Sequence, residues 1–288
     1  MGSIPADSGR SRAAETGFRL LLLACLAAGL VVLAVLAYEI LKDGLGHLSL
    51  DFITSFPSSF PDHAGIRPAL VGTLLMMLVC AAFIIPVGVA TAVYLEEYAD
   101  RDKWWNRLVE VNIQNLAAVP SIIYGILGLA FLVRGPFGFG RILLAGGLTL
   151  GLLVLPVVII AGREAIRAVP PSIREGSMAL GATRWQTIWK QVLPAAIPGI
   201  ATGVILALGR AIGETAPLIV VGAATFVNFD PTLTSQFTAL PIQIFNWISQ
   251  PQDEFKLLAA AAIIVLMAIL MSMNAVAIWL RNRYEQKW

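Results

Sequence analysis

Arg210 and Glu214 stand four residues apart in Gly209-Arg210-Ala211-Ile212-Gly213-Glu214-Thr215-Ala216-Pro217, and residues 191–229 hold no other charge. On a helix this spacing puts both side chains on one face, where a guanidinium and a carboxylate can pair. At bilayer depth an arginine costs about 2.5–3.5 kcal/mol on insertion scales. Pairing lowers the desolvation cost without removing it. Two chemistries fit. The pair is either a buried clasp that fixes helix packing, or a site where Arg210 offers its planar donor fork to an oxyanion in transit while Glu214 holds it. The residues alone favour neither. Gly199, Gly203, Gly209 and Gly213 suit close helix approach in the same region.

A second constellation fills residues 163–194. Ser172-Ile173-Arg174-Glu175 and Thr183-Arg184-Trp185-Gln186 both have the S/T-x-x-E/Q pattern of a helix-opening capping box. Pro170 and Pro171 precede the first, Gly181 between them suits a left-handed helix end, and Pro194 is expected to stop the second helix. The reading is helix, glycine turn, helix. The second helix aligns Trp185, Ile188, Trp189 and Val192 on one face, as in an amphipathic helix at a membrane surface. None of the lysines follows a glycine, so the chain lacks a phosphate-cradling Gly-Lys-Ser/Thr loop and does not bind ATP by that motif.

The elements that must position these residues are membrane spans. Of 288 residues, 58% are hydrophobic and 13% charged, too little charge for the surface of a soluble chain of this size. Charge-poor runs predict six helices over 18–41, 69–94, 111–133, 142–162, 195–221 and 257–280. Period-two alternation is absent from them, which excludes a transmembrane barrel. With the N-terminus inside, 14 of the 20 basic residues, Arg101 and Lys287 among them, fall in inside segments, so both termini are expected in the cytoplasm.

Pro86, Pro120, Pro156 and Pro217 fall in spans two to five, which should form a bent, packed core with spans one and six nearer lipid. Cys25 and Cys80 read as small buried hydrophobes, and the run around Cys25 as an uncleaved helix. His47 and His63 read as exposed outer-loop residues without metal-ligand spacing. Residues 222–256, with Phe237, Leu240, Pro241, Ile244, Trp247 and Ile248 near helical spacing, should rest on the outer interface or cap the bundle. Glu96, Glu97, Asp100 and Asp102 read as a solvated inside loop, and Gly135–Gly140 as a turn. Asn112, Asn115 and Ser121 suit a polar path or helix-to-helix hydrogen bonds equally.

Glu175, Gly181, Leu193 and Pro194 match the spacing of the EAA loop of ABC-importer permeases, with Gly176 and Ser177 in place of two alanines and Gln191 where isoleucine is usual. The 209–217 stretch resembles the signature of phosphate ABC-transporter permeases of the PstA type. Pro120-Ser121-Ile122-Ile123-Tyr124-Gly125 and Leu240-Pro241-Ile242-Gln243-Ile244 are similar to further stretches of that family. The likeness covers nearly all of residues 18–281.

The resemblance implies an all-α integral membrane protein with six transmembrane helices, in the type I ABC-importer permease fold. A permease domain over 18–281 would carry a cytoplasmic coupling loop at 163–194, between tails at 1–17 and 282–288. It implies that Glu175, Gly176, Ser177, Ala179, Leu180, Gly181 and Ala182 dock on an ATPase. Arg210, Glu214 and Thr215 would lie on the pathway of inorganic phosphate through a bacterial plasma membrane. No catalytic residue, metal or cofactor is implied, since Mg-ATP would be bound by the partner ATPase. The implied partners are a dissimilar PstC-type permease, a PstB-type ATPase dimer, an extracytoplasmic PstS-type phosphate-binding protein and membrane lipid, with no nucleic acid. Sulfate or molybdate is the alternative cargo, and a self-sufficient channel or secondary transporter an alternative mechanism. A membrane hydrolase fails for want of an intramembrane histidine.

Overall fold

A computed structural model describes residues 10–100 and 102–284, and every regular element among them is helical. The expected tail as far as residue 9, Arg101, and residues 285–288 with Lys287 lie outside the described residues. In chain order the helices are α1 (Arg10–Gly44), α2 (Leu50–Thr54) and α3 (Arg67–Val93), the last running on through a wide π turn, Tyr94–Tyr98. Then come α4 (Trp104–Ala117), α5 (Ser121–Leu127) with a π extension to Val133, α6 (Leu143–Arg167) and α7 (Pro171–Ala179). The helix α8 (Arg184–Thr187) continues through a π turn, Ile188–Val192, into α9 (Leu193–Ala211). The short α10 (Ala216–Val221) and α11 (Leu240–Ile248) precede α12 (Asp253–Tyr284).

Among the described residues five helices are long and apolar enough to cross a bilayer, and α4 with the extended α5 forms a pair bent by 111° that makes six when taken as one broken span. Pro120 causes the break: it has no N–H to donate and disfavours helix at the residue before it. The fifth span breaks as well, at 212–215, so 195–221 is not one helix. Pro86 and Pro156 stay inside α3 and α6.

The core is α6 packed between α3 and α9, with Met76, Ile84, Leu150, Leu153, Val158 and Ala207 meeting at its centre. As the small residues anticipated, Gly199 and Gly203 bring α9 against Ala165 and Ala161 of α6, where added Cβ atoms would collide. Gly209 and Gly213 have ordinary space around them. The outer pair is α1 and α12: none of the apolar stretch of α1 and only 11% of that of α12 is buried in the chain. Cys80 is buried, but Cys25 sits exposed on α1 because that whole helix faces outward, which corrects the expectation for it.

On the face away from residues 163–194, α11 caps the bundle rather than resting beside it. Leu240, Ile244 and Trp247 pack with Phe52, Ile66, Phe255 and Leu258. Ile248 is exposed, and Ile242 takes the expected inward place. His47 and His63 are exposed, and no group of potential ligands that could hold a metal occurs among the described residues.

Candidate functional site

The break in the fifth span is where the charged pair sits. Arg210 is in the last turn of α9, Glu214 beyond its end, and Thr215 caps α10 without a side-chain bond. Arg210 Nε donates to Glu214 Oε1 at 3.4 Å, with the side chains 39% and 18% exposed. Arg210 is therefore not in the middle of a continuous helix. It stands at a helix C-terminus, whose partial negative charge favours a cation. Among the described residues only its Nε finds a hydrogen-bond partner, so the two terminal nitrogens keep their donors for something else.

The structure brings two further motif stretches to this break. α5, which opens on the Pro120–Gly125 run, packs along α10. A Cβ on Gly125 would lie 2.8 Å from Pro217 Cα, so glycine is required for the approach. Tyr124 shares the core cluster with Ala211 and Ile212, the residues that follow Arg210. Its hydroxyl donates to Leu116 O at 2.9 Å, adding a side-chain bond to a carbonyl that already accepts from Ala118 and Val119 N–H at the end of α4. Sequence reasoning did not single out Tyr124, although its place four residues after Pro120 marks it as a candidate to repair that break. Ser121 is half-buried at the start of α5, while Asn112 and Asn115 are exposed and Asn112 bonds only its own helix, at Leu108 O. Of the Leu240–Ile244 stretch, Leu240 and Ile244 belong to the cap, whereas Ile242 lies in the core cluster with Ala211, Ile212 and Leu218, which flank this break.

The loop at 163–194 forms the expected helix, glycine turn and helix. Gly181, at φ +85°, closes α7: Gly181 N–H donates to Met178 O and Ala182 N–H to Ser177 O, the paired bonds of a Schellman motif. Thr183 and Gln186 exchange both bonds of a capping box. Two expectations fail. Ser172 and Glu175 make no capping box, because Pro170 is the cap and Pro171 the first residue of α7. Pro194 does not stop the second helix, because the π turn ahead of it shifts the carbonyl ladder and lets α8 run into α9.

Glu175, Gly176, Ala179, Leu180 and Gly181 are exposed, and Ser177 and Ala182 half-buried. Ser177 Oγ lies 2.9 Å from Thr187 Oγ1, tying α7 to α8. Leu180 is 91% exposed with Met178 beside it, a small apolar knob left open among the described residues. Of the amphipathic face, Ile188 and Val192 are buried, whereas Trp185 and Trp189 line an apolar groove of about 540 Å³ with Pro86, Val89 and Tyr94.

The expected solvated loop is the largest surprise. Glu96 and Glu97 lie in the π turn that ends α3 with side chains only 4% and 9% exposed. Arg163 Nε donates to Glu96 at 2.9 Å and its NH2 nitrogen to Glu110 at 2.8 Å, while Arg167 reaches Glu96 at 2.7 Å. Arg174 of α7 donates to Glu97 at 3.1 and 2.8 Å. Asp100, Asp102 and Lys103 keep the exposed character expected of this segment. A sequence signal existed, since Arg163 and Arg167 share one helix face at i, i+4, and both meet Glu96.

Residues 84–287 match the family described as binding-protein-dependent transport system inner membrane components. The chain is 36% identical over 218 residues to the phosphate transport system permease protein PstA 1 of Mycobacterium tuberculosis, covering 75% of this chain and 70% of that one. It is 30% identical over 267 residues to the permease protein PstA of Xylella fastidiosa, covering 91% of both. A chain of a bacterial ABC transporter involved in import of the acidic polysaccharide alginate superposes with a TM-score of 0.66 at 18% identity, over 95% of this chain and 99% of that one. That likeness fixes the fold as the type I importer permease arrangement. With the broken fifth span, the glycine-ended loop helix and relatives at this identity, the chain belongs to the binding-protein-dependent transport system inner membrane components, a multi-pass family of ABC-importer permeases.

Proposed function

We propose that this chain is a permease subunit of an ATP-driven importer that moves inorganic phosphate into the cytoplasm. The observation that carries the cargo is Arg210: a guanidinium at membrane depth, held through Nε by Glu214, 39% exposed, with its terminal donors uncommitted. A planar fork of this kind matches a phosphate edge through two parallel hydrogen bonds. The relatives named for phosphate transport support the same cargo.

In this reading the face carrying residues 163–194 is cytoplasmic, as are both termini, and the membrane is the bacterial plasma membrane. The knob formed by Met178 and Leu180, with Glu175 beside it, enters a groove on a PstB-type ATPase dimer, which alone binds Mg-ATP. The chain itself catalyses nothing. A PstC-type permease completes the pathway, and a PstS-type protein delivers phosphate from outside. Nucleotide binding draws the ATPases together, α7 moves with them, and the broken spans around Arg210 change which side of the membrane reaches it. Glu214 fixes the guanidinium and Thr215 borders it.

The test is phosphate uptake into vesicles holding the assembled complex. Arg210→Gln should abolish uptake and leave the subunits associated. Normal uptake by an assembled Arg210→Gln complex overturns the oxyanion role, and uptake of sulfate or molybdate with phosphate ignored overturns the cargo.

A further inference from the structure

The buried charge cluster at the cytoplasmic face joins four elements that are remote in sequence: the end of α3 (Glu96, Glu97), α4 (Glu110), the last turns of α6 (Arg163, Arg167) and α7 (Arg174). We propose that Arg174 bound to Glu97, and Arg163 bound to Glu96 and Glu110, are positioning residues that carry displacement of the coupling helix to the break in the third span and so to Arg210. The inference rests on the transport reading above and names the parts through which it works.

Hydrophobic packing fastens α7 to the core through a single side chain. None of its residues is buried, and only half-buried Ile173 packs against the cluster of Ala92, Ile166, Val169 and Val192. Ser177 bonded to Thr187 ties α7 to α8, and Arg174 supplies the rest of the attachment. Its three nitrogens make four hydrogen bonds, two to Glu97 Oε1, one to Val169 O at 2.7 Å and one to Ile166 O at 2.8 Å. The two carbonyls belong to the end of α6 and the turn after it, so one guanidinium locks α7 to both α6 and α3. Arg163 repeats the pattern one step deeper, with its side chain 9% exposed and one donor on α3 and another on α4.

α4 ends at Ala117, where Tyr124 of α5 bonds Leu116 O, and α5 packs along α10 beside Arg210. The links from α7 to α3 and α6, from α6 to α4 and from α4 to α5 are short charged or directional bonds, and the last, from α5 to α10, is the close packing of Gly125 on Pro217. A displacement at α7 therefore moves α3 and α4 with it. The arrangement gives every carboxylate a partner, so the cluster is also compatible with a merely structural clamp. The test has to separate the two.

Transport complexes carrying Arg174→Gln or Glu110→Gln are compared with wild type in vesicles for co-purification with the ATPase, ATP hydrolysis and phosphate moved per ATP. Glu110 is 41% exposed and Arg163 keeps Glu96, so the second variant folds even where the first does not. Coupling between sites is typically worth a factor of about 5–150. Arg174→Gln should keep hydrolysis within about threefold while phosphate per ATP falls roughly tenfold, and Glu110→Gln should lower that ratio about threefold. Hydrolysis and uptake falling together with thermal stability would show a clamp alone, and an unchanged ratio in the folded variants overturns the proposal.

A cargo-independent readout is nucleotide-dependent deuterium exchange across 117–121, expected in wild type and lost in both variants. Its persistence in the variants overturns the linkage. Wild-type complex that shows this exchange but moves no phosphate overturns the cargo reading and leaves the linkage standing.

Discussion

Arg210 owes its place in the membrane to three separate reliefs. The broken span exposes it, Glu214 pairs with it at 3.4 Å, and the C-terminus of α9 presents carbonyl dipoles to it. A cation at a helix C-terminus gains about 0.3–1 kcal/mol, and up to about 2 when partly buried. The pair therefore need not be a clasp, because Arg210 is tolerable without a tight partner and keeps donors free. Arg210→Lys tests this directly. A lysine preserves the charge but not the fork, so phosphate uptake should fall at least about tenfold, equivalent to about 1.4 kcal/mol in the barrier, with assembly unchanged. Equal uptake by the two proteins would show that charge alone suffices. Gly125 is a structural counterpart to this test. Gly125→Val forces atoms into the 2.8 Å approach to Pro217 and should cost about 1–3 kcal/mol by overpacking, read as lower thermal stability of the complex and loss of uptake even with Arg210 present.

At the scale of elements, the coupling helix depends on its terminal glycine. A side chain at φ +85° costs roughly 1–2 kcal/mol unless it is asparagine or aspartate, which reach that region more readily. Gly181→Val should therefore weaken co-purification with the ATPase, while Gly181→Asn should stay near wild type; equal retention of both would detach docking from the shape of this turn. The turn and the Thr183–Gln186 box were legible in the sequence because all their partners lie within a few residues. The box at Ser172 was misread because Pro170 and Pro171 set the helix start first. The same limit explains the spans. Proline marked Pro86, Pro120, Pro156 and Pro217 alike, yet Pro86 and Pro156 stay inside their helices while the spans of Pro120 and Pro217 break, and Tyr124 and α10 stabilise the break at Pro120 through contacts a local reading cannot see. Glu96 and Glu97 read as solvated because six charges crowd residues 96–103, whereas their partners Arg163 and Arg174 lie about seventy residues away in the chain.

For the whole molecule, the pattern of burial says which surfaces meet lipid, which meet water and which await other subunits. α1 and α12 pack on one another with most of their apolar surface facing outward. The two water-facing ends differ in kind: one carries the basic, glycine-ended loop, and the other is sealed by α11, Phe52 and Trp247 over the tops of α3 and α12. The excess of arginine and lysine at the loop end supports the proposed cytoplasmic side for it, and that orientation has a direct chemical test. Leu180 is 91% exposed at the tip of the loop, and Phe60 is 70% exposed on the opposite face between α2 and α3. Cys80 has no exposed surface, and Cys25, on the lipid-facing side of α1, can be replaced by alanine without loss of packing. In that Cys25→Ala background a membrane-impermeant maleimide added to intact cells, with the outer envelope opened where one exists, should label Phe60→Cys at once. Leu180→Cys should react only after the plasma membrane is permeabilised, and binding of the ATPase should then protect it. Labelling of Leu180→Cys from outside would invert the chain in the membrane, place its docking knob where no ATP is hydrolysed, and undo the coupling route from α7 to Arg210.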